Sequence, residues 1–299
     1  MRDYREFTMK RIVVATDFSD ASYGAINYAK QLGRCFSAKL LLVHVIDMAR
    51  SLQLSGMPSE PLPDRIDAAE DELQRIASSV YFDGVRCSTA LRVGDIREAV
   101  TNIIHERDAD LLVIGTSGKG YKNGEGLGSV AEMLLRSVSC PVLTVGRHVR
   151  QDAYEGTHDR TVLFPTDFSE TSRVALAYTA CLSSHLGARL LLLHVDSPAA
   201  QSCVHEKDFG EFTREIPRSV NCDYMIRSGD PSETIVKVSA ERRADFIVMG
   251  VHSSGALKMA RGERFAFDVI RLAKCPVFTI TAGFKAEPFD HVMAHTARA

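Results

Sequence analysis

The chain is written twice. Thr16-Asp17-Phe18-Ser19 returns as Thr166-Asp167-Phe168-Ser169, each after a short apolar run. Leu40-Leu41-Leu42-Val43-His44-Val45 returns as Leu190-Leu191-Leu192-Leu193-His194-Val195. Val93-Gly94-Asp95 answers to Ser228-Gly229-Asp230, Ala109-Asp110 to Ala244-Asp245, and Cys140-Pro141-Val142 to Cys275-Pro276-Val277. The order is the same in both halves. A repeat this long is a duplicated domain, not a solenoid of short units. The 299 residues suffice for two domains of ordinary size.

Each half alternates strand and helix patterns. In the first, residues 12–15, 40–45, 86–92, 111–114 and 142–145 read as strands. Helices are expected near 19–36, 64–81, 95–107 and 130–138; the second carries Ile66, Ala69, Leu73 and Ile76 at helical spacing. Strands that are almost wholly apolar are those buried on both faces of a parallel sheet. Five of them, joined by right-handed crossovers, make a doubly wound, Rossmann-like α/β domain. The expected division is residues 1–147, residues 159–282 and a loose tail over 283–299, with a polar linker over 147–159. The first half is longer between its second and third strands, and the excess includes a loop rich in Ser, Pro and Gly over 51–63. The last strand of each half is short and apolar, an edge that invites pairing. The two copies are expected to pair these strands as an internal pseudo-dimer; an edge covered by its own tail is the alternative.

One stretch carries chemistry beyond the repeat. The run GTSGKGYKNGEGLGSV begins at Gly115, after the apolar residues 111–114, and leads into a helix. Glycines let a backbone turn tightly and approach a ligand, so that N–H groups converge on an anion. A helix start adds free N–H donors and partial positive charge. Ser129 stands where an N-cap would stand. The spacing is Gly115, Gly118, then Gly128-Ser129. It is not a Walker A loop, because Gly118-Lys119 is followed by Gly120. It is not the dinucleotide fingerprint, which follows the first strand of its unit. Taken alone, it reads equally well as a flexible surface loop.

Composition narrows the partners. A formal net charge of −2 gives no global push toward nucleic acid or a membrane surface. No apolar run is long enough to span a bilayer, and MRDYREFTMKR lacks the apolar core of a signal peptide. The cytoplasm is therefore the expected compartment. The cysteines (Cys35, Cys87, Cys140, Cys181, Cys203, Cys222, Cys275) are odd in number and form no CxxC pair. Most lie in apolar runs and read as small core hydrophobes. The histidines show no metal-ligand spacing, and no metal ligand or catalytic residue is assigned.

Taken in order, an apolar strand ending in Thr-Asp-Phe-Ser, a strand ending in His-Val, a Val-Gly-Asp turn, Gly-x2-Gly-x9-Gly-Ser and Cys-Pro-Val resemble the universal stress protein family. The resemblance covers about residues 9–146 and 159–281, and tandem members occur in that family. It implies sheets of order 3-2-1-4-5 that bind a nucleotide at the carboxyl ends of strands one and four, in accord with the rule for such sheets. Many members bind ATP, with ADP or AMP as alternatives here. Carried over, Thr16 and Asp17 would lie at the adenosine end, and Val45 would offer main-chain groups to the adenine. Gly115 and Gly118 would let the loop pass over ribose and phosphates, with Lys119 as a phosphate contact. Gly128, Ser129 and Val130 would bind phosphate. Mg²⁺ would accompany the triphosphate.

Each assignment has a plainer reading. Asp17 or Ser19 caps the first helix. His44 and His194 are structural rather than ligands. Lys119 is a solvated loop charge. Arg136 and Arg271 make surface or interdomain contacts. The second copy departs from the pattern: counting back from Cys275, Glu263 and Arg264 stand where Gly128 and Ser129 stand, and a one-residue shift brings Gly262 into place but leaves Glu263 for the serine. A carboxylate there repels phosphate, so the second half is expected to bind ATP weakly or not at all. The leading expectation is an ATP-binding regulator with an unidentified protein partner, the internal pair being supplemented by a homodimer in one alternative. A slow ATP hydrolase or phosphoryl or nucleotidyl transferase is a second expectation, weakened because only Asp17, Lys119 and Glu125 lie near the loop. A nucleotide-independent interaction module is a third.

Overall fold

The computed structural model describes residues 9–47, 61–116, 126–149, 159–196, 206–214, 216, 219–251 and 261–281. Gly118, Lys119, Glu125 and Cys203, with the expected tail and most of the linker, lie outside the described residues. Met9–Arg147 forms one compact unit, and the chain from His148 onward forms the other.

The first unit runs β1 (Arg11–Ala15), α1 (Asp20–Phe36), β2 (Lys39–Ile46), α2 (Leu62–Phe82), β3 (Cys87–Val93), α3 (Ile96–Glu106), β4 (Leu111–Gly115), α4 (Ser129–Ser137) and β5 (Val142–Val145). All its strand pairs are parallel: β3 with β2, β2 with β1, β1 with β4, and β4 with β5. The second unit runs β6 (Thr161–Pro165), α5 (Glu170–Leu186), β7 (Arg189–Asp196), α6 (Glu206–Phe212), β8 (Cys222–Ser228), α7 (Pro231–Glu241), β9 (Phe246–Val251), α8 (Arg261–Leu272) and β10 (Val277–Thr281). Its parallel order is β8, β7, β6, β9, β10. Both are α/β units with a parallel sheet. Between the second and third strands of each unit, α2 has 21 residues where α6 has 7; most of the expected Ser-, Pro- and Gly-rich loop over 51–63 lies outside the described residues.

The apolar strands form the cores. Val14, Leu42, Leu111, Leu112 and Val113 are wholly buried, as are Val162, Leu190, Leu192, Phe246 and Val248. Cys140, Cys181 and Cys275 are buried among them, Cys87 and Cys222 are half-buried, and Cys35 is exposed.

Most of the repeated motifs do structural work, at both ends of the sheets. Asp110 Oδ2 accepts from the Lys10 and Arg11 N–H groups at 2.7 and 2.8 Å, fixing the entry to β1. Asp245 Oδ2 does the same for Thr161 N–H at 2.7 Å. In the Gly-Asp turn, Gly94 and Gly229 have φ of 143° and 144°, which only glycine adopts readily. The aspartates that follow cap α3 and α7: Asp95 accepts from Glu98 N–H and Asp230 from Glu233 N–H. Pro141 and Pro276 offer their carbonyls to Leu112 and Ile247 N–H.

Candidate functional site

The crevice of the first unit lies where the chain leaves β1 for α1 and β4 for α4. The turn after β1 is tightly specified. The Thr16 hydroxyl donates to Ser22 Oγ at 3.0 Å and accepts from Phe18 N–H at 3.1 Å. Asp17 Oδ1 accepts from Ser19 N–H at 3.1 Å. Ser19 is the N-cap of α1, in a reciprocal capping box with Ser22. Phe18 takes a left-handed backbone, φ 59°, a conformation that costs a non-glycine residue about 1 kcal/mol or more. The bonds around it hold that turn in place. The Thr16 hydroxyl is thus committed within the fold, and Ser19 rather than Asp17 is the cap. Ser22 escaped the sequence reading because Ser-x-x-Ser is a weaker signal than the Ser-x-x-Glu box.

Beside this turn, His44 Nδ1 lies 2.8 Å from the Thr16 carbonyl oxygen, and its ring stacks on Phe18 with centroids 4.4 Å apart. A bond to a carbonyl requires Nδ1 to carry the hydrogen. Val43 O accepts from Thr16 N–H, and Ile46 O accepts from Gly94 N–H beyond β3. Main-chain groups of a strand alternate between its two neighbours. Val45, two residues beyond Val43, therefore turns its N–H and C=O toward the β1 side, where β1 has already ended at Ala15.

On the other side, β4 ends in Gly115. A Cβ there would meet the main chain of Ala21 and Ser22 at 2.9 to 3.0 Å, so this glycine is demanded by the packing of α1 on β4. The Gly128 N–H donates to Thr116 O at 2.7 Å and brings the start of α4 to the end of β4. Gly128, not Ser129, is the N-cap; Ser129 is the first helical residue. The glycine carbonyl takes the first helical bond, from Glu132 N–H, which moves the cap one residue upstream of the expected place. Its φ of −61° is open to any residue, so what glycine contributes is the absence of a side chain. Ser19, Asp95, Ser169 and Asp230 cap their helices with oxygen, whereas α4 has no side-chain cap. Ser129 and Val130, in its first turn, therefore belong to a helix start suited to an anion. Among the described residues no cluster of three His, Cys, Asp or Glu converges on a metal position.

A model of the universal stress protein family matches residues 8–146 and again 159–281. The chain belongs to the universal stress protein family. It is 30% identical over 138 residues to a universal stress protein of Methanocaldococcus jannaschii, covering 46% of this chain and 81% of that one. It is 25% identical over 289 residues to one of Mycobacterium tuberculosis, covering 89% and 94%; that likeness runs through both halves. A universal stress protein from Archaeoglobus fulgidus shares the fold at TM-score 0.74 and 21% identity, covering 92% of this chain and 99% of that one.

Within this family frame the second unit keeps the scaffold and changes the site. His194 Nδ1 bonds Thr166 O at 2.8 Å, and Phe168 has φ 60°. Gly250 is again a packing glycine, its Cβ position 2.7 Å from Thr171 O. But Asp167, though exposed, is tied into its own turn: Ser169 N–H and the Ser172 hydroxyl both donate to its Oδ1, at 3.0 and 2.7 Å. Desolvation works against its charge, yet those bonds hold its carboxyl below the usual range. Asp196 replaces Ile46, with Oδ1 at 3.3 Å from His194 Nε2. Phe209 and Phe212 of α6 pack edge-on against Phe168 at 5.1 and 5.2 Å. Helix α8 already includes Gly262, Glu263 and Arg264, so these positions are helical where Gly128 is a cap. Arg136 and Arg271 pair with Glu132 and Asp268 on their own helices. No helix among the described residues is long and apolar enough to cross a membrane.

Proposed function

We propose that the first unit binds ATP in the crevice between β1 and β4, and that the chain acts as a nucleotide-dependent regulator in a stress response. The observation that carries this reading is the helix start that Gly128 leaves without a side-chain cap at the end of β4, on the same side of the sheet as the Val45 main-chain groups. The first offers N–H donors and dipole charge to a phosphate. The second offers a donor and an acceptor to a base edge. Asp17, at the mouth, suits a ribose hydroxyl. Gly118 and Lys119 complete the reading as loop contacts, and Mg²⁺ comes with the triphosphate, held by its oxygens. The altered second crevice is read as a site that does not take ATP. Binding of the nucleotide would change the surface offered to a partner in the cytoplasm.

The test is to denature freshly purified chain and identify released nucleotide by chromatography and mass spectrometry. One ATP per chain is expected. Two per chain would overturn the reading of the second unit, and mostly ADP would move the assignment to a slow hydrolase. No nucleotide, with no thermal shift on adding Mg-ATP, would overturn nucleotide binding.

A further inference from the structure

The Thr16 peptide is held at both ends by β2, but not by the regular ladder. In a parallel pair, a residue donates its N–H to one residue of the neighbouring strand and offers its C=O to the N–H two residues further on. Thr16 N–H donates to Val43 O at 2.9 Å. The continuing partner for Thr16 O would be Val45 N–H. That bond is absent, and the β1–β2 register ends at Ala15 with Val43. The His44 imidazole stands in for it, with Nδ1 at 2.8 Å from Thr16 O. The second unit repeats the substitution: Thr166 N–H donates to Leu193 O at 2.9 Å, and His194 Nδ1 lies 2.8 Å from Thr166 O.

The ring is also fixed in place, since it is half-buried and stacks on Phe18. Phe18 in turn follows Asp17, so one side chain braces both crevice walls: the Asp17 turn on β1 and the Val45 main chain on β2. A carbonyl with no donor in a half-buried crevice costs free energy. Without the imidazole, the donor that the parallel ladder supplies for Thr16 O is the Val45 amide, and that bond would extend the ladder by one rung. We infer that His44 is a positioning residue for the nucleotide site: by taking the place of Val45 N–H on Thr16, it keeps the Val45 main chain turned toward the ligand. This rests on the first crevice being the nucleotide site. The His-Val pair at the end of β2 is then a unit in which the histidine closes the ladder and the valine offers its backbone.

The experiment uses the full chain stripped of nucleotide, with His44→Leu, His44→Asn and His194→Leu. Asn places an N–H donor near the Nδ1 position; Leu does not. Amide exchange at Val45, read by NMR without nucleotide, should slow by about tenfold or more in His44→Leu, as the ladder bond forms, and stay near wild type in His44→Asn. Titration of Mg-ATP by calorimetry should show binding weakened about tenfold in His44→Leu, a change of about 1.4 kcal/mol, and largely restored in His44→Asn. His194→Leu should cost similar stability and leave ATP binding unchanged. Unchanged Val45 exchange in a folded His44→Leu overturns the inference, as does wild-type affinity in that variant. If His44→Leu does not fold, His44→Asn with wild-type exchange and affinity supports it, and His44→Asn with neither overturns it. Should the wild type bind no ATP, the function proposed above fails, while Val45 exchange still decides whether His44 holds the ladder open.

Discussion

A Cβ placed on Gly115 would lie 2.9 Å from the carbonyl carbon of Ala21, and the atoms it meets are backbone. Backbone cannot rotate away as a side-chain tip does. The same contact recurs between Gly250 and Thr171. Gly115→Ala and Gly250→Ala should each destabilise their unit by about 2 kcal/mol or more through overpacking. Denaturant midpoints check this. Wild-type stability with lost ATP binding in Gly115→Ala would instead make Gly115 a ligand glycine.

That pair also marks what was legible in the sequence. The duplication, the apolar strands and the alternating helices were readable because burial on both faces leaves continuous apolar runs, as at Leu111, Leu112 and Val113. The Gly-Asp turn was visible as a repeat, and its φ and cap explain it. The role of Gly115 was not readable, since a glycine near a ligand and a glycine under a helix look alike in one dimension. Its persistence as Gly250, in a half where the other loop glycines are displaced from their positions, was the available signal. The imidazole on Thr16 O was hidden for another reason: a ladder bond replaced by a side chain leaves no periodic trace. Gly118 and Lys119 lie outside the described residues, so the loop they belong to stands on the sequence alone.

Asp167 gives a pH test. Its folded carboxyl titrates below the ordinary value, so it adds stability that is full above the unfolded value, about 3.9, and lost as pH falls through the folded one. Asp167→Asn keeps the Oδ1 acceptor and removes the charge. It should cost up to about 1 kcal/mol near neutral pH, screening keeping the effect small at this mouth. The deficit should shrink below about pH 4. Midpoints near pH 7 and pH 3 decide; a deficit equal at both would mean the charge is immaterial.

The cysteines should divide by burial. The thiols of Cys140, Cys181 and Cys275 are pushed up to about 12 by burial, and the thiolate is the reactive form. Cys35 is exposed. With a thiol-specific reagent at about pH 8, peptide mapping should show Cys35 modified well before those three, which react only on unfolding. Modification of Cys275 as fast as Cys35 would reveal frequent opening of the second unit.

Gly128→Asp sets the helix against the ligand. The position is the N-cap of α4, with φ −61° and ψ 140°, which aspartate adopts without strain. Asp is among the best N-cap residues, and its carboxylate also suits the helix dipole. Thermal stability should therefore hold or rise by a few tenths of a kcal/mol. The same carboxylate would occupy the helix start with negative charge, where the proposed phosphate must sit, and like charges that close repel. ATP binding should fall by about tenfold or more, a loss of about 1.4 kcal/mol or greater. Calorimetric titration and a thermal melt on one preparation separate the outcomes. A more stable chain that no longer binds nucleotide supports the first-unit site. A more stable chain that binds as before would place the phosphates elsewhere and return α4 to a purely structural role.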